Sequence, residues 1–201
     1  MKSVASVLSY LLHPLYIPTL ATWLYLQIAS YWFMLTDQGV YIILLVVFLT
    51  TFLLPILFIP LFMYFKIINS PEMQERRERL LPLFITFLFF YGGFLFLKSI
   101  PLPSFYIGFM LSALIVVALV LLISFWWKIS AHLAALGGFT GSLIAFSLRY
   151  SSPVEYFIFG AIFLSGLLGT ARLIKEAHTL PQVIAGWLIG FAVSLVLVMM
   201  Y

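Results

Sequence analysis

The sequence predicts an all-α fold, a polytopic transmembrane helix bundle of about six or seven spans. Three observations predict it. Of 201 residues, 65% are hydrophobic and only 8% charged, with a mean hydropathy of +1.20, whereas a soluble domain carries roughly 25% charged residues. The apolar residues fall in runs too long and continuous for strands. Short polar stretches separate those runs. At about 20 residues per span, no length remains for a separate soluble domain. Residues 1–201 therefore read as a single integral membrane domain of a multi-pass cell-membrane protein.

Charge and cysteine content narrow the functions. The net charge of +4 and pI of 9.4 arise from ten Lys and Arg scattered among apolar runs. That scatter fits membrane orientation or an anionic ligand better than a nucleic acid. With no Cys, neither a disulfide framework nor a thiolate metal site exists. No metal and no cofactor is expected.

Run one, about Val4 to Leu35, exceeds one span and is interrupted by His13-Pro14 and Pro18. Either a tilted helix kinks there, or a short surface helix leads into a span near Leu15. It lacks a clear small-residue cleavage pattern and reads as retained. His13 reads as a buried hydrogen-bonding group at the kink. Thr36-Asp37-Gln38-Gly39 is the first turn. Run two, about Val40 to Phe65, contains Pro55 and Pro60 and is expected to bend against protein.

The longest polar stretch, Lys66 to Arg79, follows. Ser70 can cap a helix with Pro71 at its first position. Glu72 then faces Arg76, and Glu75 faces Arg79, at i,i+4. This is either a solvated helix start or an arginine clamp for phosphate. Run three covers about Leu80 to Leu97, and run four about Phe105 to Trp127, ending in interfacial indoles. Run five covers about Ser130 to Leu148, and its Gly137-x3-Gly141 permits close helix packing. Run six covers about Tyr156 to Thr170. Run seven covers about Val183 to Tyr201, with Gly186-x3-Gly190 as a second small-residue face.

Counting crossings brings the polar stretches together. If all runs span, the gaps after runs two, four and six share one face with the N-terminus. That face holds Lys2, Lys66, Arg76, Arg77, Arg79, Lys128, Arg172 and Lys175; the other holds Lys98 and Arg149. Ionisable groups at the edge of a hydrocarbon layer tend to mark a site. His132 and His178 each lie near a helix start on that face, and helix N-termini favour anions. A lipid phosphate or diphosphate is the natural ligand at a membrane interface.

The order Ser130-Ala131-His132, then Arg172-x5-His178-x3-Gln182, resembles the type 2 phosphatidic acid phosphatase superfamily. Its three motifs are Lys-x6-Arg-Pro, Pro-Ser-Gly-His and Ser-Arg-x5-His-x3-Asp. The offset of 46 from His132 to His178 fits two intervening helices. Val183-x-Ala-Gly-x3-Gly looks like the family's continuation. The resemblance covers roughly residues 66–200, the second half more closely. Ile129, Ala131, Ala171 and Gln182 replace the family's Pro, Gly, Ser and Asp, and the first motif has no match.

The resemblance implies metal-free hydrolysis of a lipid phosphate monoester or diphosphate, phosphatidate-like or polyprenyl. His178 would be the nucleophile and His132 the general acid; Ser130 and Arg172 would hold phosphate. Lys128, Arg76 and Arg79 join them as cations by place. Gln182 would orient His178 but brings no charge, and can present oxygen or NH2. Loss of catalysis with retained binding of an anionic lipid, or a small transporter built on breaks at Pro55, Pro60 and Pro101, are the alternatives. The cation bias puts the basic face in the cytoplasm, and the resemblance implies the outer face.

Overall fold

The computed structural model describes residues 2–29, 34–73 and 75–201. Among these the chain is all helix, with no strand. Six helical segments are long and apolar enough to cross a membrane: Asp37–Tyr64, Arg77–Lys98, Ser104–Ser124, Ala131–Tyr150, Glu155–Ile174 and Leu180–Met200. They correspond to runs two to seven. The fold is an all-α polytopic bundle.

Run one is divided. Helix α1 is Lys2–Leu11 and α2 is Ile17–Ala29; positions 30–33, also assigned to run one, lie outside the described residues. Pro14 ends α1 because it lacks an N–H and disfavours helical geometry at His13. Pro18 is tolerated in the first turn of α2. Helix α1 packs on the helix Glu155–Ile174. It buries Ala5 and Ser9 and turns Val4, Val7 and Leu11 outward. An apolar stripe at i, i+3 and i+7 facing away from the protein fits a helix lying in the membrane interface.

The first long span comprises α3 (Asp37–Phe48), a wide turn at Leu49–Leu53 and α4 (Leu54–Tyr64). Pro55 cannot donate to Thr51, so the ladder widens just before it. Thr51 meets Thr19 of α2 at 3.2 Å between hydroxyl oxygens. Tyr25 of α2 meets Ser142 at 2.7 Å. In an apolar surround such polar pairs tie helices together.

The stretch after α4 departs from expectation. No helix starts at Ser70; residues 70–73 form turns, and Met73 has a φ of 47°. Helix begins with a tight turn at Arg77–Arg79, continuing into α5 (Leu80–Lys98). The pairs Glu72–Arg76 and Glu75–Arg79 do not form; among the described residues the one ion pair is exposed Lys2–Glu176, at 3.9 Å. The reason is tertiary. Glu78 is buried and accepts the backbone N–H of Asn69 at 3.1 Å together with its side-chain amide. That pull holds the segment as a loop, which outweighs i,i+4 pairs worth a few tenths of a kcal/mol each.

Helices α6 (Ser104–Ser124), α7 (Ala131–Tyr150), α8 (Glu155–Ile174) and α9 (Leu180–Met200) complete the bundle. The most extensive contact joins α7 and α9, and glycines make it. A Cβ on Gly137 would strike the carbonyl of Trp187, and one on Gly190 the carbonyl of Ala134. A Cβ on Gly186 would lie 2.6 Å from the carbonyl oxygen of Ser130. The two helices thus touch backbone to backbone, as the x3 spacing predicts. Gly190→Ala is expected to destabilise the protein by at least about 1–3 kcal/mol, read as a lower unfolding temperature in detergent. Gly160→Ala, with nothing within 4 Å of its new methyl, is the control expected to match wild type.

Candidate functional site

The three cationic gaps meet at one end of the bundle. The N–H of Ser130 donates to the Gln182 carbonyl at 3.3 Å, joining the starts of α7 and α9. Arg79 donates to the carbonyls of Met73 at 3.0 Å and Ile129 at 3.3 Å. Between these segments lies a cavity of about 320 Å³. Its ionisable wall comprises Arg79, Arg172 and Lys175, the imidazoles of His13, His132 and His178, and one carboxylate, Glu72. Three cations against one carboxylate leave two positive charges, the complement of an anionic phosphate monoester.

Local structure places each group. Arg172 sits in the last turn of α8, which ends where Glu176 takes a φ of 54° and Ala177 N–H bonds back to the Arg172 carbonyl at 3.1 Å. His178 follows immediately, before Thr179 caps α9. Thr179 and Gln182 form a capping box. In it, Gln182 Oε1 accepts the Thr179 N–H at 3.1 Å and lies 3.2 Å from His178 Nδ1. The Lys128 carbonyl lies 3.1 Å from the same Nδ1. Both neighbours are acceptors, so Nδ1 carries the proton and Nε2 the lone pair. The capping box turns oxygen, not NH2, toward the ring.

His132 is held the same way. Its Nε2 lies 3.3 Å from the carbonyl oxygen of Ser9 in α1. A carbonyl can only accept, so Nε2–H donates and Nδ1 keeps the lone pair. His13 stands against it, ring centroids 5.7 Å apart and edge-on.

His178 and Arg172 are 6% and 4% exposed, and among the described residues His178 Nε2 and Arg172 Nε are buried without a hydrogen-bond partner. Buried polar atoms are nearly always paired, and an unpaired buried charge is costly. An anion in the cavity would accept from Arg172 Nε–H, and the His178 Nε2 lone pair would face a phosphate O–H or the phosphorus itself. Burial, then Arg79 and Arg172, lowers the His178 pKa from 6.5 to about 3. Burial, then Arg172, lowers that of His13 to about 4. Both rings are neutral at pH 7.

The remaining expected residues are placed differently. Ser130 is fully buried, and its hydroxyl caps α7 by accepting the Leu133 N–H at 3.5 Å; it does not line the cavity. Lys128 contributes its backbone carbonyl to His178. Its ammonium pKa is lowered by burial and then by Arg79 and Arg172, and it does not line the cavity. Arg76 turns away and donates to the Phe125 carbonyl. Of Arg76 and Arg79, only Arg79 lines the cavity. Two wall residues were not expected at the site, His13 and Glu72, whose carboxylate accepts from Tyr10 OH at 3.0 Å; Lys175, counted among the cations of the basic face, joins them. Among the described residues no set of three or more His, Cys, Asp or Glu is placed to hold a metal.

No family model matches the chain, and no curated protein or solved structure is similar to it.

The neutral imidazoles set a pH dependence. The unfolded chain binds protons at these two histidines from about pH 6.5 downward, whereas the fold resists until about pH 4. Stability therefore falls as pH drops below 6.5. Unfolding temperature in detergent is expected to be lower at about pH 5 than at about pH 7.5, and the fall to be smaller in His178→Gln. An unchanged difference in that variant would contradict the burial of a neutral ring.

Proposed function

We propose that the protein is a metal-independent lipid phosphatase of the type 2 phosphatidic acid phosphatase kind, hydrolysing a lipid phosphate monoester or diphosphate. The observation that carries this reading is the pair of unpartnered buried atoms, His178 Nε2 and Arg172 Nε, in one net-positive cavity. A lone-pair nitrogen beside a guanidinium is the arrangement needed to attack phosphorus while its oxygens are held.

The lipid character is supported by a second pocket of about 80 Å³. It shares Pro14, Leu15, Leu83, Thr86, Val120 and Ala131 with the polar cavity and runs inward to Phe90 and Phe109. A charged head in the first and a hydrocarbon chain in the second match one amphiphile.

In this reading His178 Nε2 forms a bond to phosphorus as the P–O bond to the lipid breaks, giving a phosphohistidine. The ligand enters as a monoanion and gives its phosphate O–H proton to His132 Nδ1, while Nε2–H stays on Ser9; that Nδ1–H then protonates the leaving oxygen. Water then attacks phosphorus, His132 Nδ1 takes its proton, and inorganic phosphate leaves with His178 restored. Arg172 and Arg79 hold the equatorial oxygens. Gln182 and the Lys128 carbonyl keep the Nδ1 proton in place.

Purified protein is expected to release inorganic phosphate from a dispersed lipid phosphate, and His178→Ala to abolish release; equal rates would refute the enzyme reading. Gln182→Glu keeps the reach and the capping box and adds a negative charge beside the developing imidazolium. An uncharged amide at such a position costs on the order of 10^4 in a serine protease, so kcat is expected to rise by at least about tenfold. An unchanged kcat alongside intact lipid binding would instead favour a binding protein without turnover.

A further inference from the structure

We propose that His13 is a third imidazole of the anion site, donating from Nε2–H to the bound phosphate group. The inference rests on the anion reading of the cavity and assigns a role to a residue which that reading does not use. His13 belongs to the turn between α1 and α2, more than a hundred positions from His132 in the chain, yet its ring stands edge-on to that of His132 and lines the same cavity.

Its tautomer follows from its one local hydrogen bond. The Leu15 N–H donates to His13 Nδ1 at 3.4 Å. An N–H can face only a lone pair, so the proton of the neutral ring is on Nε2. No protein acceptor takes that proton among the described residues. A packing role at the Pro14 break would need the ring but not a free donor. It would also not explain why the ring sits in a wall whose charged members are Arg79, Arg172, Lys175 and Glu72, beside the two site histidines.

The same segment also positions His132, since Ser9, four residues before His13, supplies the carbonyl that holds its Nε2. The turn after α1 thus forms part of the cavity wall and holds His132 in place. Burial and Arg172 keep His13 uncharged in the free protein, so it offers a donor without adding repulsion to a cavity already positive.

Two full-length variants separate the roles. His13→Phe keeps a planar ring and removes the donor. His13→Gln removes the ring and can place an NH2 close to the position of Nε2. KM and kcat for dioctanoyl phosphatidate, the affinity for orthovanadate and the unfolding temperature are measured on each. A hydrogen bond to a charged group, worth about 1.5–3 kcal/mol, corresponds to roughly a tenfold or larger effect. His13→Phe is expected to raise KM and weaken orthovanadate binding by about tenfold or more with unfolding temperature unchanged. His13→Gln is expected to recover most of the loss. Wild-type affinity in His13→Phe, with wild-type enzyme active, would overturn the role of His13 alone. So would a pattern in which His13→Gln is the weaker binder and the less stable protein. If the wild type neither binds orthovanadate nor releases phosphate, the anion reading falls and this inference with it.

Discussion

The site depends on backbone contact between two helices. Helices α7 and α9 approach so closely that methyl groups on Gly137 or Gly190 would enter the opposite carbonyls. In hydrocarbon there is no hydrophobic drive to associate, and small residues that allow this proximity are what hold such helices together. Both helices begin at the same end of the bundle, tied there by the Ser130–Gln182 backbone bond. The first turn of α7 carries His132 and the residue before the α9 cap is His178, so both reach one cavity. Side chains of ordinary size at the four glycines would push the two starts apart and with them the imidazoles.

Once the rings are near each other, their tautomers decide the chemistry. Each is bonded on one nitrogen by a fixed acceptor: Ser9 for His132, and the Lys128 carbonyl with Gln182 for His178. Each keeps its other nitrogen for a guest. Gln182 serves two structures at once, because the oxygen that caps α9 is also the oxygen beside His178. An amide there could have turned either way, and the helix start chooses its orientation. The guanidinium groups then do what neutral rings cannot, setting the sign of the field inside the cavity.

The bundle was legible in the sequence because hydrocarbon imposes length and composition on every span, and crossing parity follows from counting them. The two small-residue faces were legible for the same reason: a four-residue spacing has one structural meaning on a helix. The arginine cluster was not. Glu72, Glu75, Arg76 and Arg79 have the spacing of a paired helix, but the buried carboxylate of Glu78 binds Asn69 and keeps the segment a loop. Long-range partners of this kind leave no periodic trace. His13 was legible in part, as a hydrogen-bonding group at the Pro14 break, where it accepts the Leu15 N–H. Beside a proline it looks like a kink residue, and only the return of α1 onto α8 carries it to the cavity. Ser130 and Gln182 were noticed for chemistry, yet both serve as helix caps, and Gln182 also orients a ring.

Two basic helix starts, one arginine from α8 and a turn from the N-terminal segment make sense together if a single anion sits among them. A structure of the protein determined with orthovanadate tests this most directly. The account predicts vanadium bonded to His178 Nε2, with its oxygens within hydrogen-bond reach of Arg172. Vanadate bound elsewhere on the protein, or His132 and His178 facing separate compartments around an empty cavity, would contradict it.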